Sequence, residues 1–243
     1  DNTNDKIRDI LDASDVDEST ALFLVNAISF KGTWKYEFNP ETTEDAAFTQ
    51  EDGAETTAQM MAQESEDLKY FEGETLQFLE LPYTDDSTVM RVLLPKEGNT
   101  IGSILEGMDS ESWNEMVSQL EVKEGSVYLP KFQFEYGKVK MNSYLQAMGM
   151  EKAFIPGTAD FSLMSAVNES WFVDFVYHKT FIDVNEEGSE AAAATAVGVT
   201  LGLNEGPQPY VFRADHPFFF TIEDTETNTI LFSGIVTDPV YEE

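Results

Sequence analysis

The chain holds few residues of the kinds that perform catalysis. It has no Cys and only two His, His178 and His216, which excludes thiol nucleophiles, thiolate metal sites and His-rich zinc sites. Neither His lies in a recognisable nucleophile–base pattern, and no G-x-S-x-G or phosphate-loop motif occurs. The stretch 224–228 lacks the Gly and the terminal Glu of a calcium loop, which favours a hairpin turn. We therefore predict no catalytic residue, no metal site and no cofactor.

Two polar residues interrupt apolar strand patterns. In the run 21–30, Asn26 lies on the same strand face as alternate apolar residues. In the run 171–184, His178 lies on a face that is mostly apolar. A polar side chain buried in this way needs a hydrogen-bond partner. The two residues are either satisfied separately in the core or bonded to each other across neighbouring strands, and the pattern alone favours the first interpretation.

The segment 186–209 joins two predicted strands and consists largely of small residues. Helix propensity, with Ser189 as the N-cap, predicts a short helix over the Ala run 191–194. However, the run has few large side chains with which a helix could pack, and long connections without regular structure are usually functional. Small side chains would also let the segment enter a sheet between existing strands without overpacking it.

The charge of the chain is strongly acidic. Its 243 residues include 14 Lys+Arg and 46 Asp+Glu, which gives a formal net charge of −32. Nucleic acid is excluded as a partner because phosphate binding needs clustered basic residues, and an anionic membrane surface is disfavoured for the same reason. The acids are spread along the whole chain, so we interpret them as an adaptation to a salt-rich, halophilic setting in which salt screens their repulsion.

Around these residues, apolar runs predict a strand-rich α+β chain without a linker or an internal repeat. We predict a strand over 21–30 that is buried on both faces, and short strands at most in the acidic stretch 41–67. A strand over 127–134 contains Pro130, which indicates an edge or a bulge. Helices are predicted over 101–120 and 139–148, and further strands over 67–71, 76–82, 88–94, 171–184, 218–223 and 230–236.

The run His178–Thr195 closely resembles the strand and hinge that lead to the reactive-centre loop of the serpins. The resemblance implies an α+β fold with mostly antiparallel sheets A, B and C and few helices. It also implies one serpin domain over 1–243, with the reactive-centre loop at 186–209. Other serpin-like motifs follow in family order at Leu24–Trp34, Leu79–Tyr83, Val92–Pro95, Leu129–Phe132, Leu145–Met150, Ala159–Ser162, Ala214–Phe218 and Phe232–Pro239.

This resemblance implies an inhibitor of serine proteases and not an enzyme. In the family mechanism the protease attacks one loop bond and forms an acyl-enzyme, and the cleaved loop inserts into sheet A as a new strand and distorts the trapped protease. No Lys or Arg occurs between Gly188 and Phe212, so a chymotrypsin-, elastase- or subtilisin-like protease is the expected partner. The alternative is a non-inhibitory serpin-like binding or structural protein, or an inactive remnant.

The resemblance also assigns site residues. Family spacing from the hinge puts the scissile bond between Gly202 and Leu203, with cleavage after Leu201 or Leu203 as an alternative. Asn26 and His178 match the shutter, which controls the opening of sheet A, and Trp34 matches the breach at its top. The hinge comprises Glu186, Glu187, Gly188, Ser189, Glu190, Ala191, Ala192, Ala193, Ala194 and Thr195.

The start of the chain departs from the family pattern. It begins with Asp1, shows no signal-peptide pattern, and resembles serpins only from the stretch that leads into the third strand of sheet A. A complete serpin has a large N-terminal portion with most of the helices. We therefore expect a C-terminal portion of the domain that lacks the helical part. The resemblance favours an extracellular location.

Overall fold

The computed structural model describes residues 6–7, 10–18, 20–164, 171–188 and 208–241. The chain divides into two compact units, one formed by residues 1–30 and 134–182 and the other by residues 31–133 and 183–243. Short 3₁₀ turns lie at Pro40–Thr42 and Lys152–Phe154.

A three-stranded sheet accounts for most of the first unit. Its order is β1 (Leu22–Ser29), β10 (Val173–Val184) and β9 (Phe132–Lys140), and β1 runs parallel to β10. The strand β1 is less buried than its apolar sequence predicts, with Leu24 42% and Val25 39% exposed. The prediction of a strand buried on both faces is therefore wrong, because β1 lies at the edge of this sheet.

Helix α3 (Asn142–Ala147) packs beside β10 in the same unit. The Asn142 side chain takes the place of a neighbouring strand, since its Oδ1 accepts from the Val176 N–H at 3.0 Å and its Nδ2 donates to the Asp174 carbonyl at 2.8 Å. Gly149 follows the helix with φ 99°, a conformation that glycine adopts without strain. The predicted helix over 139–148 is thus confirmed in a shorter form.

The second unit contains a four-stranded sheet in the order β11 (Tyr210–Arg213), β8 (Gly125–Pro130), β3 (Glu55–Ser65) and β2 (Glu44–Thr49). The prediction of short strands at most over 41–67 is wrong, because β3 has 11 residues. Its sequence is largely polar, but it pairs with a strand on each side and buries Ala58, Met60 and Met61. Pairing between strands, rather than its own hydrophobicity, makes this segment a strand.

Two predicted elements are each divided in the structure. The predicted strand over 127–134 is split at Lys131 between β8 and β9, and β8 lies inside its sheet, with Pro130 as its last residue. The predicted helix over 101–120 is two helices, α1 (Ile101–Leu105) and α2 (Ser110–Ser118). Asp109 caps α2, since its side chain accepts from the Ser112 N–H at 2.8 Å.

A six-stranded sheet holds the main core of the second unit. Helix α2 covers one face, where Trp113 packs edge-on against Phe78 at 5.2 Å between ring centroids. The hairpin predicted at 224–228 joins two of its strands, with Asn228 at φ 53°. The strand order is β13 (Thr229–Val236), β12 (Phe218–Asp224), β6 (Thr88–Pro95), β5 (Leu76–Pro82), β4 (Lys69–Glu72) and β7 (Glu121–Val122).

An ionic row crosses the middle of this sheet. Arg91 on β6 pairs with Glu80 at 2.9 Å and with Glu223, and all three residues are less than 10% exposed. Thr221 donates to the second Glu223 oxygen at 2.5 Å, and Lys69 reaches Glu80 from the surface at 2.7 Å. The buried charges are therefore mutually satisfied, as burial requires.

Candidate functional site

The chain reverses direction directly after β10 at residues Asn185–Gly188, which we name the hinge turn. The Asn185 N–H donates to the Gly188 carbonyl at 3.0 Å, and the Gly188 N–H donates to the Asn185 carbonyl at 3.1 Å. The Asn185 side chain accepts from the Glu187 N–H at 3.1 Å, a pattern typical of turns. The first predicted hinge residues, Glu186, Glu187 and Gly188, therefore form a tight turn together with Asn185.

Gly188 is the one residue type that fits its place in the hinge turn. It has φ 112° and pairs with Thr33 in an isolated bridge. A Cβ added there would lie 2.3 Å from the Gly32 carbonyl oxygen and 2.7 Å from the Trp34 nitrogen. Both the backbone conformation and the close approach of the segment 32–34 therefore require glycine.

Trp34 lies directly against the hinge turn. It is 1% exposed, its Nε1 donates to the Asn185 carbonyl at 2.9 Å, and its N–H donates to the Glu187 carbonyl at 3.0 Å. Its ring stacks on Tyr83 with 4.4 Å between ring centroids. The residue assigned to the breach and the first hinge residues are thus in contact, although their roles in the family mechanism stay predictions.

Glu186 is buried and held from two sides, in a group that we name the anchor (Glu186, Lys131 and Thr43). Its carboxylate accepts from the Thr43 hydroxyl at 2.7 Å and lies 3.2 Å from the Lys131 ammonium. The Phe38 N–H donates to its backbone carbonyl at 2.9 Å. Burial raises the pKa of the Glu186 carboxyl, but the Thr43 hydroxyl and the Lys131 charge outweigh burial and lower it, so the side chain stays ionised.

Tyr241 completes the surroundings of the anchor. The Lys131 ammonium lies 4.1 Å from the centroid of its ring, and its hydroxyl accepts from Asn185 Nδ2 at 3.3 Å. Asn185 Nδ2 also donates to Asp183 at 3.3 Å. The last described residue of the chain therefore contacts both the anchor and the hinge turn.

The two residues assigned to the shutter lie opposite each other. The parallel register of β1 and β10 pairs Asn26 with His178. Asn26 is exposed and His178 is half-buried, so the expectation that Asn26 is a buried core residue is wrong. Within the described ranges, no hydrogen bond joins the two side chains. Their adjacency fits a shutter pair, but the role stays a prediction.

The remaining predicted site residues cannot be placed. The rest of the hinge and both alternatives for the reactive bond lie outside the described residues. These are Ser189, Glu190, Ala191, Ala192, Ala193, Ala194, Thr195, Leu201, Gly202 and Leu203.

The second histidine, His216, is held by two neighbouring groups. His216 is engaged at both nitrogens, Nδ1 with Asp215 at 2.9 Å and Nε2 with the Pro95 carbonyl at 2.8 Å, and the Asp215 contact raises its pKa. Among the described residues there is no cluster of His, Cys, Asp and Glu that could hold a metal ion. In the same ranges, no helix combines the length and the apolar character that crossing a membrane requires.

Sequence reasoning missed the residues that hold the hinge turn. Lys131, Thr43 and Tyr241 are distant from Glu186 along the chain, with 143 positions between Thr43 and Glu186. Only Lys131 gave a signal, since it belongs to the motif Leu129–Phe132. The charge of Glu186 predicts a basic partner, but the sequence does not say which of the 14 Lys and Arg it is.

The fold has counterparts among solved structures and known proteins. A native protease nexin-1 with heparin superimposes with a TM-score of 0.84 and 30% identity, covering 98% of this chain and 63% of that one. Human antithrombin-III is 36% identical over 98% of this chain and 51% of its own length. An uncharacterised serpin-like protein of Methanosarcina mazei is 39% identical over 99% of this chain and 55% of its own length.

The chain thus spans about half the length of these curated relatives, at 51% and 55%. The family model described as "Serpin (serine protease inhibitor)" matches residues 1–239. The three sheets and few helices described above are those of the serpin fold. With its matched residues and its sheets in agreement, the chain belongs to the serpin family.

Proposed function

We propose that the chain inhibits a serine protease through cleavage of a reactive loop. The protease serine attacks a loop carbonyl, the peptide bond breaks, and the new amino terminus leaves while the acyl group stays on the serine. The cleaved loop then inserts as a strand between β1 and β10, which traps the acyl-enzyme. The family description as serine protease inhibitors supports this proposal.

The observation that carries the proposal is the hinge turn. Glu186 is 8% exposed and held by Thr43 and Lys131, so the loop has a fixed starting point. The residues that follow, from Ser189 to Thr195, are small except for Glu190. Small side chains are compatible with insertion into a sheet, because they enter without overpacking it.

The assignments of individual residues belong to the same proposal. One domain over 1–243 presents the loop 186–209, with hinge residues 186–195 and cleavage between Gly202 and Leu203, or alternatively after Leu201 or Leu203. Asn26 and His178 form the shutter, and Trp34 belongs to the breach. The apolar stretch 199–203 suits a chymotrypsin-, elastase- or subtilisin-like protease. The acid excess supports a halophilic setting, and the family resemblance favours an extracellular one.

Incubation with chymotrypsin and with subtilisin, followed by denaturing gel electrophoresis, tests the proposal. We expect an adduct of the chain and the protease that survives denaturation, because the trapped ester is covalent. Cleavage of the chain without any adduct would favour the non-inhibitory alternative. Mass spectrometry of the released C-terminal fragment identifies the cleaved bond.

Ser189→Arg sharpens this test. An arginine in the first part of the hinge is too large and too strongly hydrated to enter a sheet, so we expect cleavage with little or no adduct. Ser118→Arg is the matched control, since Ser118 is exposed at the end of α2. An adduct yield equal to that of the unmodified chain in the Ser189 variant would contradict strand insertion.

A further inference from the structure

The C-terminal segment returns to the base of the loop. Four residues after the end of β13, the Val240 carbonyl accepts from the Gln133 N–H at 2.8 Å, which fixes the segment at the start of β9. The next residue, Tyr241, lies over the Lys131 ammonium at 4.1 Å. The hydrogen bond between Gln133 and Val240 thus places the Tyr241 ring beside the anchor.

The Lys131 ammonium has two partners on the described part of the chain. Its side chain is only 10% exposed, so water screens its charge poorly. The Glu186 carboxylate lies at 3.2 Å and the Tyr241 ring at 4.1 Å. The negative face of an aromatic ring stabilises a desolvated cation, and its bulk limits where the ammonium can move. The ring therefore favours the position in which Lys131 meets Glu186.

Tyr241 also acts on the hinge turn itself. Both side-chain functions of Asn185 are committed, Oδ1 to the Glu187 N–H and Nδ2 to Asp183 and the Tyr241 hydroxyl. The same Asn185 supplies the carbonyl that receives Trp34 Nε1 at 2.9 Å. One tyrosine thereby joins the cation of the anchor to the first residue of the turn.

We propose that Tyr241 is a positioning residue that keeps the hinge turn closed, with its hydrogen bonds to Trp34 intact, until the loop is cleaved. It acts through Lys131 with its ring and through Asn185 with its hydroxyl. In this role Tyr241 keeps the spontaneous loss of inhibitory activity slow, and this consequence rests on the proposed function. The closed state of the turn can be measured without any protease.

The direct test follows Trp34 and the amide hydrogens of the hinge turn in three variants. In the background Trp113→Phe with Trp171→Phe, Trp34 is the only tryptophan, because the chain has 3 Trp, and excitation selective for tryptophan excludes emission from its 9 Tyr. For Tyr241→Leu we expect red-shifted Trp34 emission and exchange at Glu187 and Gly188 faster by on the order of tenfold. Tyr241→Phe keeps the ring and should recover most of the protection.

A double-variant cycle distinguishes this role from general packing. If Tyr241 acts through Lys131, Tyr241→Leu should change the exchange rates less in the Lys131→Met background than in the unmodified chain. Tyr136→Leu is the matched control, since Tyr136 is 61% exposed, and should leave the turn unchanged. Unchanged Trp34 emission and exchange in Tyr241→Leu, or full additivity with Lys131→Met, would overturn the inference.

The inhibitory consequence is measured separately. If the chain forms adducts, Tyr241→Leu should lose that capacity several-fold faster on storage at 37 °C, and Tyr241→Phe should not. If the chain forms no adduct, the proposed function fails while the emission and exchange experiments still decide the role of Tyr241. A Tyr241→Leu variant with an open turn and an unchanged rate of loss would contradict the link between the two.

Discussion

At the scale of single residues, the loop base depends on side chains that cannot be exchanged for near relatives. Glu186 needs both a hydroxyl and an ammonium within reach, and Asn185 uses its carbonyl oxygen, its amide oxygen and its amide nitrogen at once. An Asp at position 185 would lose the donor to Tyr241. Precise positioning therefore depends on residue type as well as on charge.

Gly188→Ala should open the hinge turn. The added Cβ would meet the Gly32 and Trp34 backbone at 2.3 and 2.7 Å, and φ 112° is strained for alanine. We expect a loss of at least about 2 kcal/mol in the free energy of unfolding, with red-shifted Trp34 emission. Urea unfolding followed by fluorescence, in the background Trp113→Phe with Trp171→Phe, measures both effects.

Gly53→Ala is the matched control for this change. Gly53 has φ 84°, and a Cβ there meets nothing within 4 Å, so it carries the backbone strain without the collision. The expected loss is about 1 kcal/mol with unchanged Trp34 emission. Equal losses in the two variants would show that the close approach at Gly188 has no energetic weight.

At the scale of strands and helices, continuous apolar patterns were sufficient for prediction and polar ones were not. The strands β5, β6, β12 and β13 carry apolar runs bounded by turn residues, and their predicted limits agree within one residue. The strand β3 was missed because its polar residues follow no apolar run, and its buried side chains depend on pairing with β8. The sequence contains no local sign of that pairing.

The same distinction applies to the candidate site. Glu186, Gly188 and Trp34 were predictable because they lie in motifs that resemble the family. Thr43 and Tyr241 were not, because a contact across 143 positions in the one case and a ring over a cation in the other leave no pattern in a single sequence. The burial of Asn26 was predicted wrongly because parity indicates a face of a strand, not whether anything covers it.

Removal of one member of the ionic row in the six-stranded sheet should lower the free energy of unfolding more than replacement of all three members. Arg91→Met leaves Glu80 and Glu223 buried with uncompensated charge, and we expect a loss of about 3–5 kcal/mol in the free energy of unfolding. The triple change Arg91→Met, Glu80→Leu and Glu223→Leu should recover most of it. Urea denaturation of the single and triple variants measures this difference.

Lys96→Met provides the comparison for an exposed pair. The Lys96 ammonium lies 2.6 Å from the Glu72 carboxylate. The two side chains are 36% and 49% exposed, so water already solvates both charges. The expected loss is below about 1 kcal/mol. A loss in Lys96→Met as large as that in Arg91→Met would mean that burial does not govern the strength of these pairs.

At the scale of the whole molecule, net charge opposes compactness. With 46 acidic and 14 basic residues, repulsion among carboxylates outweighs the attraction within ion pairs. Raising NaCl from about 0.1 M to 1 M shortens the screening length from about 10 Å to 3 Å. We therefore expect Tm to rise by at least about 4 °C, measured by thermal unfolding.

Sucrose distinguishes screening from a general effect of solute exclusion, because it stabilises folded proteins without screening charge. At matched osmolality it should raise Tm less than NaCl does. A Tm that falls with NaCl, or that rises equally in sucrose, would contradict the salt-rich setting proposed from the composition.

The sheet order of the second unit has a consequence for a chain cut within 189–207. The residues after the cut contribute β11 beside β8, and β12 between β13 and β6 inside the six-stranded sheet. The residues before it include the hinge turn, which is bonded to the segment 33–38. A nicked chain is therefore two polypeptides that share one hydrophobic core, and they stay associated without a covalent link until that core unfolds.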